Sequence, residues 1–238
     1  MQDSHESEQA QFFLTPKHPC SYLNRNNAQT LFFDPRQIIT SETYQALTDQ
    51  GFRRSGSHLY RPHCGACNAC IPTRVPVAQF KTSRSQRRVL KRNQDITVRI
   101  EEATFSQRHY HLYERYISLR HADGDMFPAS EDQFRSFLLS PWSDCLFVSL
   151  YLEERLLSVA VTDRQLHGLS AIYTFFEPNE DHRSLGVLSI LKQIEFCQEL
   201  SLPFLYLGYW IKDCQKMSYK TAYRPTQLYV NNNWVTLT

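Results

Sequence analysis

The chain has 238 residues, a formal net charge of +2 at pH 7, 42% hydrophobic and 21% charged residues. That balance belongs to a globular protein with one large core or two small ones, and it excludes fibrous and wholly disordered chains. No apolar run approaches the roughly 18 residues that a membrane span needs, and the acidic opening MQDSHESEQAQ is unlike a secretory leader.

Residues 1–11 read as a disordered tail. Thr30 to Phe33 form a short strand-like run closed by Asp34-Pro35, and Thr40 or Ser41 caps a helix running through Leu47 to a stop at Gly51. A strand-like run, His58 to Arg61, leads into His63-Cys64-Gly65-Ala66-Cys67-Asn68-Ala69-Cys70.

Three cysteines at i, i+3 and i+6 on one turn suit a soft metal or an iron–sulfur cluster, because thiolates are the favoured ligands of both. The alternatives are three reduced thiols on a turn, or a redox pair. A ferredoxin-type run would place a fourth cysteine where Arg74 stands, so the fourth ligand must come from elsewhere. Cys20 is the only other cysteine in the N-terminal half. The odd total of seven cysteines favours reduced thiols in the cytoplasm over a disulfide scaffold.

Arg74 to Phe80 reads as extended, with Pro76 marking an edge position. Between Arg74 and Arg99 stand eight cations (Arg74, Lys81, Arg84, Arg87, Arg88, Lys91, Arg92 and Arg99) against the single acid Asp95. That density is the footprint of a phosphate backbone, with a solvated helix face as the alternative. Ser83-x-x-Gln86 is a capping box opening this basic helix, which runs to about Asn93.

Ile96, Val98 and Ile100 alternate with polar residues as a half-buried strand. Thr104-x-x-Gln107 is expected to cap a helix to about Arg120, and Ser130-x-x-Gln133 a shorter one through Leu139. Three strands follow, Leu146 to Leu152, Leu156 to Thr162 and Leu169 to Phe176. Gly186 opens a long apolar helix, Val187 to Leu200; then come a buried strand, Leu202 to Tyr209, and a closing hairpin of 228–230 and 234–236. This order gives an α/β (α+β) fold, matching the GNAT-like acyltransferase mixed sheet, with a smaller cysteine-containing N-terminal domain over 12–94 and a transfer domain over 95–238. In acetyl-CoA members a Gly-rich turn cradles the pyrophosphate. Here Arg183-Ser184-Leu185-Gly186-Val187 has a single glycine, so no CoA is expected.

Three stretches resemble one family: Gly51-Phe52-Arg53-Arg54-Ser55-Gly56 with Tyr60-Arg61-Pro62; Ser83-x-Ser85 followed by Arg88-Val89-Leu90-Lys91; and CQKMSYKTAYRP, Cys214 to Pro225. Together they resemble the aminoacyl-tRNA–protein transferases, over about residues 18–230, and within them the bacterial leucyl-transferring branch. Eukaryotic relatives carry a C-x-x-C near the N-terminus and an adjacent cysteine pair later. This chain has Leu23 where the second early thiol would be and three cysteines at the later site. Gln227 stands where eukaryotic members tend to have an acid.

The resemblance implies transfer of leucine from Leu-tRNA to proteins beginning with Asp or Glu, marking them for degradation. An α-amine is partly neutral at pH 7 and the ester is already activated, so positioning and an oxyanion donor carry most of the rate. The expected roles are tRNA phosphate contacts for Arg84, Arg87, Arg88, Lys91 and Arg92, acceptor recognition for Arg53, Arg54 and Arg224, and proton transfer or oxyanion donation for Tyr219, Lys220 and Tyr223. Cys20, Cys64, Cys67 and Cys70 are the expected thiolates for zinc or an iron–sulfur cluster. Bland counterparts stand beside them: Tyr219 and Tyr223 as core aromatics, Arg53 or Arg54 paired with a structural carboxylate, and Cys145, Cys197 and Cys214 as core residues. A non-enzymatic tRNA-binding or redox-sensing protein on the same scaffold is the other class of reading.

Overall fold

A computed structural model describes residues 10–237; most of the tail expected over 1–11 lies outside them. Gln11 is described and is hydrogen-bonded, its amide to Gln37 and its carbonyl to Asp34. The described residues form two sheets. The smaller has strands β1 (Phe12–Leu14), β2 (Thr30–Phe33), β3 (Arg53–Ser55) and β4 (His58–Pro62) in the order β1-β2-β4-β3. Helix α1 (Ser41–Asp49), capped by Thr40, packs Tyr44 and Leu47 with Phe33, Phe52 and Leu59 to close its core.

The larger sheet contains β5 (Ile71–Pro76), β6 (Ile96–Glu102), β7 (Asp144–Leu152), β8 (Arg155–Gln165), β9 (Gly168–Phe176), β10 (Phe204–Trp210), β11 (Thr226–Val230) and β12 (Asn233–Leu237). Their order is β12-β11-β5-β10-β9-β8-β7-β6. Strand β8 is buried along nearly its whole length, so the sheet is covered on both faces. Helices α3 (Gln107–Arg120) and α4 (Glu131–Leu138) cover one face with Tyr113, Ile117, Phe134 and Leu138 against Phe147, Tyr151 and Phe175. Helices α2 (Arg84–Arg92) and α5 (Leu185–Glu199) cover the other, with Val89, Leu185 and Leu188 against Leu150 and Leu157. The architecture is a mixed α/β fold, and no described helix is long and apolar enough to cross a membrane.

Local signals held where chemistry is local. Ser83 and Gln86 form the complete capping box of α2, and Ser130 caps α4. Helix α3 starts later than expected, because Ser106 rather than Thr104 accepts the amide hydrogen bond, from His109.

Strand β5 is corrected more substantially. It is a central strand between β10 and β11, not an edge. Its prolines, Pro72 and Pro76, flank Thr73 and Arg74, the two residues that pair with β11, so neither interrupts that ladder. The two sheets divide between β4 and β5, and α2 packs with the larger sheet.

Candidate active site and nucleic-acid interface

Strands β9 and β10 run parallel only from Gly168 with Phe204 to Ser170 with Tyr206. Past that point β9 continues along β8 and β10 along β5, so the two strands part. Gly208, at φ +81°, lies at the irregularity in β10 where they separate.

Arg53 fills this opening from the small sheet. Its Nη1 donates to Ser170 Oγ at 2.7 Å and its Nη2 donates to the carbonyl of Ala171. The side chain is buried among Ser170, Ala171 and Gly208.

Lys220 lies next to it. The side chain is only 5% exposed, and its Nζ donates to the Tyr209 carbonyl at 2.6 Å and contacts Met217 Sδ at 3.4 Å. Burial, then the charge of Arg53, pushes the amine down from its ordinary 10.5 to about 7, against a smaller opposing effect of the Cys214 and Cys70 thiols. A large fraction of Lys220 is therefore neutral at physiological pH, as a proton acceptor must be. Tyr209 is itself pinned, its hydroxyl donating to the carbonyls of Gly51 and Tyr60 at 2.9 and 3.2 Å. Tyr219 presents its ring 5.8 Å from the Lys220 amine and is 48% exposed.

The other expected site residues are placed differently. Arg54 is not open to a substrate: it forms a bidentate pair with Asp163 (Nε–Oδ2 2.6 Å, Nη2–Oδ1 2.7 Å), and both side chains are fully buried. Its remaining donors serve the carbonyls of Gly56 and Leu138, while the Tyr44 hydroxyl donates to Asp163 at 2.6 Å. Tyr223 is 2% exposed, packed among Val75, Val77 and Leu205 and stacked on Phe80; it is a core aromatic. Arg224 is exposed, and its carbonyl accepts the Lys81 amide. Gln227 accepts from Arg74 Nε at 2.7 Å, and Arg74 is buried between the rings of Phe204 and Trp234 rather than displayed to a phosphate.

The basic helix keeps its charge at the surface. Arg84, Arg87, Arg88, Lys91 and Arg92 are all exposed on α2, and none forms an ion pair among the described residues. Gln86, buried on the inner face, donates to the Ala222 carbonyl at 3.2 Å and ties the helix to the segment carrying Lys220.

The thiols gather from distant parts of the chain. Cys70 is pushed up to about 12 by burial and then by the charges of Cys20, Cys64, Cys67 and Cys214. Backbone amides of Leu23 and Gln29 donate to Cys20 and Cys64 Sγ, each at 3.4 Å, the kind of bond that steadies a thiolate ligand. The four expected thiols thus fit a soft metal by donor chemistry. All seven cysteines are free, and no metal-holding group is closed among the described residues. Cys214, read from the sequence as a core residue, lies at this cluster; together with Ser170, Gly208 and Tyr209 it is what sequence reasoning missed. None carries a spacing signal that links it to the Cys64–Cys70 turn or to Arg53.

Comparison with known proteins decides the family. The model of the arginine-tRNA-protein transferase N terminus matches residues 18–88, and that of its C terminus matches residues 108–230. The chain belongs to this family. The aspartate/glutamate leucyltransferase of Hahella chejuensis is 55% identical over 226 residues, covering 95% of this chain and 97% of the relative. That of Pseudomonas aeruginosa (strain LESB58) is 52% identical over 233 residues, covering 98% and 99%. Among solved structures, L-PGS from Bacillus licheniformis aligns with 85% of this chain and 71% of its own at 12% identity and a TM-score of 0.45. As an aminoacyl-tRNA–protein transferase, this enzyme must bring a charged tRNA and a protein N-terminus together, and the basic helix is fastened directly to the segment that holds Lys220.

Proposed function

We propose that this enzyme transfers leucine from Leu-tRNA to the α-amino group of proteins with N-terminal Asp or Glu, in the cytoplasm, marking them for degradation. Two relatives at 52–55% identity over nearly the full chain bear the name aspartate/glutamate leucyltransferase. The parting of β9 and β10 beside a long helix supports a GNAT-like transfer domain. The carrying observation is the Lys220 amine, held near neutrality beside Arg53 at that opening.

In this reading the acceptor amine attacks the ester carbonyl, the C–N bond forms and the C–O bond to ribose breaks. Neutral Lys220 takes the proton released by the attacking amine and passes it to the ribose oxygen as that oxygen leaves. Arg53 and the exposed Arg224 are the cations for the acceptor carboxylate. Tyr219, half-exposed beside Lys220, is placed to donate to the developing oxyanion. The exposed cations of α2 hold the tRNA backbone. Cys20, Cys64, Cys67 and Cys70 would hold zinc or an iron–sulfur cluster, whose contribution when bound is to fix this turn beside the start of β5.

A transfer assay tests the reading with Leu-tRNA and Arg-tRNA as donors and peptides beginning Asp, Glu or Ala as acceptors. Leucine should pass to Asp- and Glu-starting peptides. Efficient use of Arg-tRNA, or equal labelling of the Ala-starting peptide, would overturn the specificity.

A further inference from the structure

A cavity of about 370 Å³ opens where α2 meets α5, lined by Phe80, Lys81, Thr82, Arg87, Leu191 and Ile194 among others. It is within the size range of small-ligand sites. Its floor is apolar: Leu191 and Ile194 come from the core face of α5, and Phe80 is braced from behind by Tyr223 at 6.4 Å and 30°. One rim is basic. Lys81 is exposed and its ammonium meets no ion-pair or hydrogen-bond partner among the described residues, and Arg87 donates to the Thr82 carbonyl at 2.6 Å. The acid at the cavity, Glu195, is engaged by Lys192 at 2.7 Å.

The cavity rim is tied through the backbone to the segment that carries Lys220. The Lys81 amide donates to the Arg224 carbonyl at 3.2 Å, and Arg224 follows closely after Lys220. An apolar floor with exposed cations on one edge suits a nucleotide, with its base on the floor and its phosphate on the rim. Unpaired bases are held by stacking and apolar contact, which a duplex cannot offer. In the reading above the tRNA duplex lies on α2, and Arg87 of that helix lines this cavity.

We propose that this cavity holds one of the unpaired nucleotides preceding the aminoacylated 3′ end of the tRNA; the assignment rests on the tRNA-dependent transfer proposed above. The test compares binding of two probes, an intact leucine tRNA and the same tRNA lacking its unpaired 3′ nucleotides. Lys81→Ala, at the surface, and Thr82→Trp, which fills the cavity mouth, should each weaken binding of the intact tRNA about tenfold and leave the truncated tRNA unchanged. Equal weakening of both probes, or of neither, overturns the proposal. So does a raised KM for the acceptor peptide with tRNA binding unchanged, since the cavity would then belong to the protein substrate. If the parent enzyme binds no tRNA at all, the transferase reading itself fails, and that outcome is distinct from the others.

Discussion

Gly208 and Arg53 share one space: a Cβ on Gly208 would stand 3.2 Å from Nε and 3.5 Å from Cζ of Arg53. The glycine also sits at φ +81°, a conformation side chains rarely adopt. The gap between the parting strands is thus as wide as a guanidinium requires, because one strand carries no side chain there. Gly208→Ala should cost about 1–3 kcal/mol in backbone strain and displace Arg53. Chemical denaturation and the transfer rate check this, with the rate expected to fall further than the stability loss explains.

Lys220 sets a pH dependence. Its pKa in the folded enzyme is about 7 against an ordinary 10.5, so between these values the unfolded chain binds more protons than the folded one. Stability attributable to this group therefore rises with pH from about 7 towards 10.5, and below about 7 the full penalty of charging a buried amine applies. Lys220→Met should flatten the rise in denaturation midpoint between pH 7 and 9.5. It should also abolish transfer, whose rate in the parent should climb with pH around 7 as the neutral amine forms. A transfer rate equal to the parent's would remove Lys220 from the reaction.

The Arg54–Asp163 pair is structural. Removing one partner leaves the other charge buried alone, so Arg54→Met or Asp163→Leu should destabilise by about 3–5 kcal/mol. The double variant should recover part of that loss, because no lone charge remains. Thermal unfolding of the two single variants and the double variant measures the coupling.

The α2 cations act through charge rather than shape. Arg87→Glu with Lys91→Glu should weaken tRNA binding and flatten its dependence on salt, with little change in unfolding because both residues are exposed. An unchanged salt slope would take the helix out of the interface.

The thiol cluster makes a separate prediction. Purified without oxygen, the parent should carry zinc, or iron with sulfide, and Cys20→Ser and Cys67→Ser should each lose it. Cys214→Ser should retain it. Loss of metal from the Cys214 variant but not from Cys20→Ser would exchange the fourth ligand.

Much of this was legible in the sequence, for reasons that differ by residue. The capping box at Ser83 and the cap at Ser130 are satisfied within four residues, so no distant contact could overrule them. The α2 cations were legible because an exposed charge needs no partner. For Arg54 and Tyr223 the sequence left a site role and a structural role side by side. The structure bears out the structural one, because the deciding neighbours, Asp163 and strands β5 and β10, are distant in sequence. Proline read locally put β5 at an edge, yet which residues β11 pairs decides the matter. Cys214 reaches the other thiols only through the fold, so no spacing could announce it.

The position of β5 also bears on how the protein is made. This strand leaves the cysteine turn at Ile71 yet lies between β10 and β11, which come from near the other end of the chain. On a ribosome, β5 emerges long before either neighbour exists, and it must wait with its hydrogen-bonding groups unmatched until nearly the whole chain has been synthesised. Such long-range pairing closes late and slowly. A C-terminal fragment produced alone would expose the facing edges of β10 and β11, ready to pair with another chain instead.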